Sequence, residues 1–165
     1  MTLEKYSNLV EKAFGIKNWN YSKKNSEDKT VFTINFSEDG IDHTKCKVYV
    51  HNNGICDMEA AFPFNCPEDN RVELSYILTE YNFSKRYATI RLDLSDGDII
   101  NSYSFDMLPS MTPEFVLKKF LGVKDIEKEI YDTVVKTCKP NYLEEKKIQS
   151  ESSATDRKNK FKIDL

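Results

Sequence analysis

Apolar and polar residues alternate in several stretches of the chain, a pattern typical of β-strands with one buried face. The clearest stretch runs from Val31 to Ser37 and places three large apolar side chains on one side: Phe32, Ile34 and Phe36. A second stretch, from Ile16 to Lys23, places Trp19 and Tyr21 on one face. We therefore predict two strands, separated by the polar turn KNSEDKT.

The segment from Lys45 to Phe62 predicts a β-hairpin, and its side chains decide the register. A two-residue turn at Asn53-Gly54 would place acidic residues opposite valines on the core face. A three-residue loop with Gly54 in the left-handed region shifts the pairing by one and makes it chemically consistent. The predicted pairs are Val50 with Cys56, Val48 with Met58, Cys46 with Ala60, and Lys47 with Glu59.

A second hairpin is predicted over residues 87–105, with its turn at Asp96-Gly97 and Leu94 opposite Ile99. The predicted core face is almost entirely apolar and contains Ala88, Ile90, Leu92, Leu94, Ile99, Tyr103 and Phe105. The predicted solvent face contains Tyr87, Thr89, Arg91, Asp93, Ile100, Ser102 and Ser104. One side of this antiparallel pair should therefore lie in the core and the other in water.

Apolar residues spaced by three and four predict three helices. The first covers Met1 to Phe14 and should end at Gly15. The second covers Pro67 to Asn82, with a buried side made of Val72, Leu74, Ile77, Leu78 and Tyr81. The third begins at Thr112-Pro113 and closes at Pro140, with Gly122 as a possible kink. Its inward residues are Val116, Phe120, Val123, Ile130 and Val134.

The order of these elements is α-β-β-β-β-α-β-β-α, which predicts an α+β fold: an antiparallel sheet with helices packed on one face. We expect one domain over residues 1–140 and a charged, solvated tail over residues 141–165. Within the tail, Phe161 and Ile163 between lysines could add a short edge strand.

Composition narrows the range of partners. The net charge of −3 and the scattered lysines and arginines argue against nucleic-acid binding, which requires a clustered cationic surface. No stretch approaches the roughly 18 apolar residues of a membrane span, and charged residues interrupt the N-terminal segment. We therefore expect a cytoplasmic protein in which Cys46, Cys56, Cys66 and Cys138 are reduced and mostly buried.

Candidate chemistry is sparse. His43, Cys46, His51 and Cys56 are close in sequence, as in some zinc sites, but the predicted register points Cys46 and Cys56 inward and His51 outward. We predict no metal, no cofactor and no catalytic group. A small enzyme that uses His43, Cys46 or His51 stays as an alternative.

The solvent face of the predicted sheet is the candidate surface for a partner or a second copy of the chain. It carries Tyr49, Ile55, Tyr87, Arg91 and Ile100. Protein interfaces favour Tyr and Arg and have few acidic residues at the centre.

The stretch YILTEYNFSKRYATIRLDLSDGDIINSYSFDML, followed by TPEFVLKKFL, resembles the YbjN-like domain family. The matching features are Asn82 near a helix end, an alternating strand, an Asp-Gly turn, a second strand and a Thr-started helix, over Val72 to roughly Cys138. The resemblance implies an α+β fold similar to class I type III secretion chaperones, frequent homodimers and a chaperone-like or regulatory role. It implies no catalytic residues.

We therefore predict a non-enzymatic protein-binding domain of bacterial type, acting as a chaperone or regulatory adaptor. An immunity or antitoxin protein that neutralises one dedicated partner is the first alternative.

Overall fold

The computed structural model of the protein describes residues 2–38, 41–85 and 88–139, with the side chains of 36–38 and 41–44 outside the description. The described residues form three helices: α1 (Leu3–Ile16), α2 (Glu68–Phe83) and α3 (Pro113–Cys138). They also form six strands: β1 (Tyr21–Asn25), β2 (Lys29–Glu38), β3 (Ile41–His51), β4 (Ile55–Ala61), β5 (Thr89–Leu92) and β6 (Ile99–Asp106). The predictions for Tyr87, for the tail and for an edge strand at Phe161 and Ile163 lie outside the described residues.

The described strands make one antiparallel sheet in the order β1-β2-β3-β4-β6-β5. This confirms the α+β class and the predicted order of elements. All three helices contact strands of the sheet, and the buried residues of the strands share one face. The opposite face, which we call the open face, carries half-buried and exposed side chains.

The hairpin of β3 and β4 has the predicted register. Val50 pairs with Cys56, Val48 with Met58, Cys46 with Ala60, and Lys47 with Glu59. Gly54 has a φ of 89°, in the left-handed region that a three-residue loop requires. The burial alternates along β4, because even-numbered residues face the helices and odd-numbered residues face the open side.

The register of β5 and β6 differs from the prediction by two residues. Leu92, rather than Leu94, pairs with Ile99, and Leu94 is 60% exposed in the connecting loop. The side chains of Asp93 and Asp96 accept hydrogen bonds from the loop backbone, which favours a longer loop over a tight turn. A shift of two keeps the parity of the faces, so Ile90 remains buried and Arg91 remains exposed.

The N-terminal segment also differs from its prediction. Helix α1 passes Gly15 and ends at Ile16, and the strand predicted over Ile16–Lys23 is β1, which starts at Tyr21. Asn18 has a φ of 52°, and the Trp19 amide donates a hydrogen bond to the Phe14 carbonyl at 3.1 Å. Asn tolerates this left-handed conformation at a helix end, so Asn18 rather than Gly15 marks the stop.

The five predicted inward residues of α3 are all buried. The helix is continuous from Pro113 to Cys138, so Gly122 does not interrupt it. In α2, by contrast, Leu74 and Leu78 are buried but Val72 is 64% exposed, so its predicted burial is wrong. The four cysteines are free and buried, as predicted. None of the described helices is both long and apolar enough to cross a membrane.

Candidate functional site

The open face of the sheet holds the sequence-predicted surface residues that the structure describes: Tyr49, Ile55, Arg91 and Ile100. Ile100 lies opposite Ala61 at one end of β4, and Ile55 lies at the other end. Ala61 lies six residue steps along the strand from Ile55, about 20 Å at 3.4 Å per residue. The two isoleucines therefore do not form one apolar patch.

Polar side chains occupy the centre of the open face instead. The Nε2 atom of His51 lies 2.8 Å from the Oδ2 atom of Asp57. The hydroxyl of Ser104 donates a hydrogen bond to the other carboxylate oxygen of Asp57. The carboxylate thus links β3, β4 and β6 across the sheet.

A second polar group lies one row along the same strands. Arg91 donates a hydrogen bond to Oε1 of Glu59 at 3.1 Å, and the phenol of Tyr49 lies close enough to the same carboxylate for its charge to act on it. Burial, followed by the nearby charge of Glu59, raises the pKa of Tyr49 above its ordinary value. The phenol therefore stays protonated at neutral pH. Tyr49 and Arg91 are thus brought together through a residue that was not predicted as a site residue.

These two groups line a shallow depression of about 550 Å³ on the open face. His51, Asp57 and Ser104 are of the three residue types found in hydrolase active sites, but their hydrogen bonds connect them in a different order. A nucleophilic serine must hydrogen-bond to the histidine that removes its proton. Here Ser104 donates to Asp57 instead, so the arrangement positions polar groups without activating the hydroxyl.

Of the alternative enzyme residues, the two whose side chains the structure describes, Cys46 and His51, are not brought together. Cys46 is fully buried on the helix-covered face, whereas His51 belongs to the open face of the same strand. Burial raises the pKa of the Cys46 thiol, which suppresses the thiolate needed for nucleophilic attack or metal binding. The side chain of His43 lies outside the described residues. Within the described part of the chain, no three His, Cys, Asp or Glu side chains are grouped to hold a metal ion.

A different surface was missed by the sequence prediction. Three large apolar residues of α2 face solvent on one side of the helix, and we call them the outer stripe: Val72, Tyr76 and Phe83. Their exposed fractions are 64%, 73% and 95%. Spacings of four and seven residues place them on one helical face, opposite Leu74 and Leu78. That spacing is the signal in the sequence that identifies a second apolar side of α2.

Polar contacts hold helix α2 in this orientation at both ends. At its N-terminal end, Arg71 donates hydrogen bonds to the carbonyls of Cys66 and Leu94, at 3.1 and 2.9 Å. At its C-terminal end, the Asn82 amide bonds to both the N–H and the carbonyl of Ile90. The outward orientation of the outer stripe is therefore a property of the fold.

Acidic residues border the outer stripe. Glu68, Asp69, Glu73 and Glu80 are all exposed on α2. On a helix with 3.6 residues per turn, Asp69, Glu73 and Glu80 project along one flank of the stripe, and Glu68 projects at its N-terminal end. The surface therefore combines an exposed apolar line with a negative border.

Comparisons with known proteins support the fold alone. No protein-family model and no curated protein matches the sequence. The crystal structure of an uncharacterized protein from Methanothermobacter thermautotrophicus is similar, with a TM-score of 0.59 and 8% sequence identity. The likeness covers 81% of this chain and 99% of that protein.

Proposed function

We propose that this chain is a non-enzymatic protein-binding adaptor and that the outer stripe of α2 is its docking surface. The observation that carries the proposal is the exposure of Val72, Tyr76 and Phe83 on one side of a helix whose orientation is fixed. Thr79 lies on the same face between Tyr76 and Phe83, and large exposed apolar residues grouped on one face of a soluble protein typically mark an interaction site. The resemblance to YbjN-like domains agrees with this, because it implies a chaperone-like or regulatory binding role.

The chemistry of the border selects the kind of partner. An apolar line flanked by Asp69, Glu73 and Glu80 complements a basic amphipathic helix, with its apolar residues against the line and its lysines or arginines against the acids. From Val72 to Phe83 the helix rises about 16 Å, which is roughly three turns of a partner helix.

A second copy of the chain is a poorer occupant of the same surface. Two copies of α2 packed along their outer stripes would bring the acidic borders close together, and like charges at an interface are unfavourable. Self-association through α2 is therefore an outcome that the test must be able to detect.

The test is a fluorescence anisotropy titration with a labelled helical peptide that has leucines on one face and lysines on the other. We expect saturable binding that weakens as salt is added, because charge contributes to it. Tyr76→Ser combined with Phe83→Ser should weaken binding by about tenfold or more, which corresponds to the loss of about 1.4 kcal/mol. The thermal midpoint should not change.

Leu94→Ser is the matched control, because Leu94 is 60% exposed but lies on the loop after β5 rather than on α2. It should bind the peptide as the unmodified chain does. Equal affinity in the α2 double variant would overturn the proposal. If sedimentation shows a dimer of the unmodified chain and a monomer of the α2 double variant, the occupant of the outer stripe is a second copy of the chain rather than a basic helix.

The open face supports a second candidate, an immunity-type or antitoxin-type protein that binds one folded partner. The hydrogen bonds that hold Asp57 and Glu59 fix polar groups in place before binding, which suits a rigid, complementary surface. Capture from native cells with two variants distinguishes the surfaces. Loss of a single folded protein with Arg91→Glu, but not with the α2 double variant, would favour this second candidate.

A further inference from the structure

A half-open cavity of about 350 Å³ lies between α3 and the neighbouring strand β6. Its described lining includes Phe115, Gly122 and Ile126 on α3 and Tyr103 on β6. Binding sites for small molecules are typically mostly apolar pockets of about 300–1,000 Å³ with few polar groups. The size and lining of this cavity are of that kind.

Gly122 provides an independent reason to regard the cavity as a built feature. Gly in the interior of a helix costs about 1 kcal/mol relative to Ala. The backbone of Gly122 does not have a positive φ, and no atom beyond its chain neighbours and the adjacent helix backbone lies within 4 Å of the position that a Cβ would occupy. Neither the helix nor its packing requires glycine, but a larger side chain here would project into the cavity.

The polar groups of the lining are cationic or neutral. The ammonium of Lys119 donates a hydrogen bond to the hydroxyl of Tyr103 at 3.0 Å. It also lies over the Phe115 ring, 5.2 Å from the ring centroid. Lys118 adds a second positive charge to the lining. The polar side of the cavity therefore complements an anionic group, and its apolar wall complements a hydrocarbon body.

We propose that this cavity binds a small carboxylate with an apolar tail, with the carboxylate at Lys118 and Lys119 and the tail against Phe115, Gly122 and Ile126. The volume holds about a dozen non-hydrogen atoms, at the roughly 30 Å³ that each water occupies in the liquid. This inference is independent of the docking surface on α2, because the two share no residue.

Octanoate is the probe, and octanol is the matched ligand because it has the same tail without the charge. We expect saturable calorimetric binding of octanoate and weaker binding of octanol. Amide shifts should change in the first half of α3 and at Tyr103. Lys119→Met should weaken octanoate by roughly tenfold and leave octanol unchanged, whereas Lys12→Met, on α1, should alter neither.

Gly122→Leu should fill the cavity and abolish binding of both ligands while the thermal midpoint stays the same or rises. A lower midpoint would show that the space is not available, and would contradict the proposal. Octanoate binding that is unchanged in Gly122→Leu and Lys119→Met would also overturn it. The same holds if octanoate and octanol bind equally or if neither binding curve saturates.

Discussion

Helices α2 and α3 contact each other on the same side of the sheet, but they bury their apolar residues to different extents. In α3 the inward line of Val116, Phe120 and Val123 is almost completely buried, so the fold accounts for its apolar pattern. In α2 only Leu74 and Leu78 are buried, and the three large apolar residues of the outer stripe face solvent.

The difference separates residues that the fold needs from residues that it does not need. Burial of apolar area supplies most of the free energy of folding, so α3 and the inner side of α2 stabilise the domain. The outer stripe of α2 contributes little of this energy, and its apolar character requires another explanation. A binding partner supplies one.

The largest expected effect tests the inner side of α2. Ile90 on β5 packs in the same cluster as Leu74 and Leu78 and is 2% exposed. Ile90→Asp would bury an unpaired charge and should lower the free energy of unfolding by about 5 kcal/mol or more. Ile100→Asp, on the open face opposite Arg91, should be nearly silent in urea denaturation. Similar melting of the two variants would refute the assignment of faces.

Two phenylalanines compare the helices directly. Phe120 on α3 is fully buried, and Phe83 on α2 is 95% exposed. Phe120→Ala should cost about 4 kcal/mol, because it leaves a cavity in the core. Phe83→Ala should stay within about 0.5 kcal/mol of the unmodified chain. Urea midpoints with equal m-values provide the measurement, and a large loss in Phe83→Ala would mean that the outer stripe supports the fold.

Asn82 tests how firmly α2 is held in its orientation. Its side chain satisfies both backbone groups of Ile90, with distances of 2.9 Å to the N–H and 2.8 Å to the carbonyl. Asn82→Ala should cost about 1–3 kcal/mol and speed hydrogen exchange at the Ile90 amide. Asn65→Ala is the control, because that amide accounts for one exposed hydrogen bond to a loop carbonyl. Unchanged exchange at Ile90 would contradict the anchoring.

Gly122 tests whether the buried apolar residues of α3 are sufficient to explain its packing. Because no atom beyond its chain neighbours and the adjacent helix backbone lies within 4 Å of a Cβ at this position, Gly122→Ala should raise stability by up to about 1 kcal/mol. Differential scanning calorimetry should show a higher midpoint. A lower midpoint would contradict this, because it would mean that the packing of α3 requires glycine at position 122 in addition to its buried apolar residues.

The smallest expected effect concerns an ion pair that joins Lys85, in the loop after α2, to Glu129 on α3. The hydrogen bond from Lys85 holds the pKa of Glu129 below its ordinary value. The native chain therefore binds fewer protons here than the unfolded chain does. This contribution is present above the unfolded pKa of about 4.3 and is lost as the pH falls through the lower folded pKa. Glu129→Gln should lower the midpoint slightly at pH 7 and have no effect at low pH; a difference that persists in acid would contradict the assignment.

The features that could be predicted best from the sequence are those determined by contacts between neighbouring side chains. The register of β3 and β4 follows from matching valines to apolar partners and Lys47 to Glu59. The register of β5 and β6 depends on the local hydrogen bonds of Asp93 and Asp96 and also on a distant contact of the loop. A Cβ on Gly97 would lie 2.2 Å from the Cys66 carbonyl oxygen, so the loop is shaped by a segment far away in sequence.

The candidate surface was harder to predict for a similar reason. Helix α2 has apolar residues on two sides, and periodicity alone does not tell which side is buried. Long-range contacts of Arg71 and Asn82 with the strand and loop that follow determine which side of α2 is buried. On the open face, the parity placed Tyr49 and Arg91 correctly on one side. The carboxylates that separate Ile55 from Ile100 became evident only when the strands were aligned.

The most direct test of the central claim is an amide-shift map of the isotope-labelled chain, recorded as the basic amphipathic peptide is added. We predict that the largest shifts occur on α2, around Val72, Tyr76 and Phe83, with small changes on β3 and β4. Shifts concentrated at Tyr49, Glu59 and Arg91, with α2 unaffected, would contradict it and would place binding on the open face of the sheet.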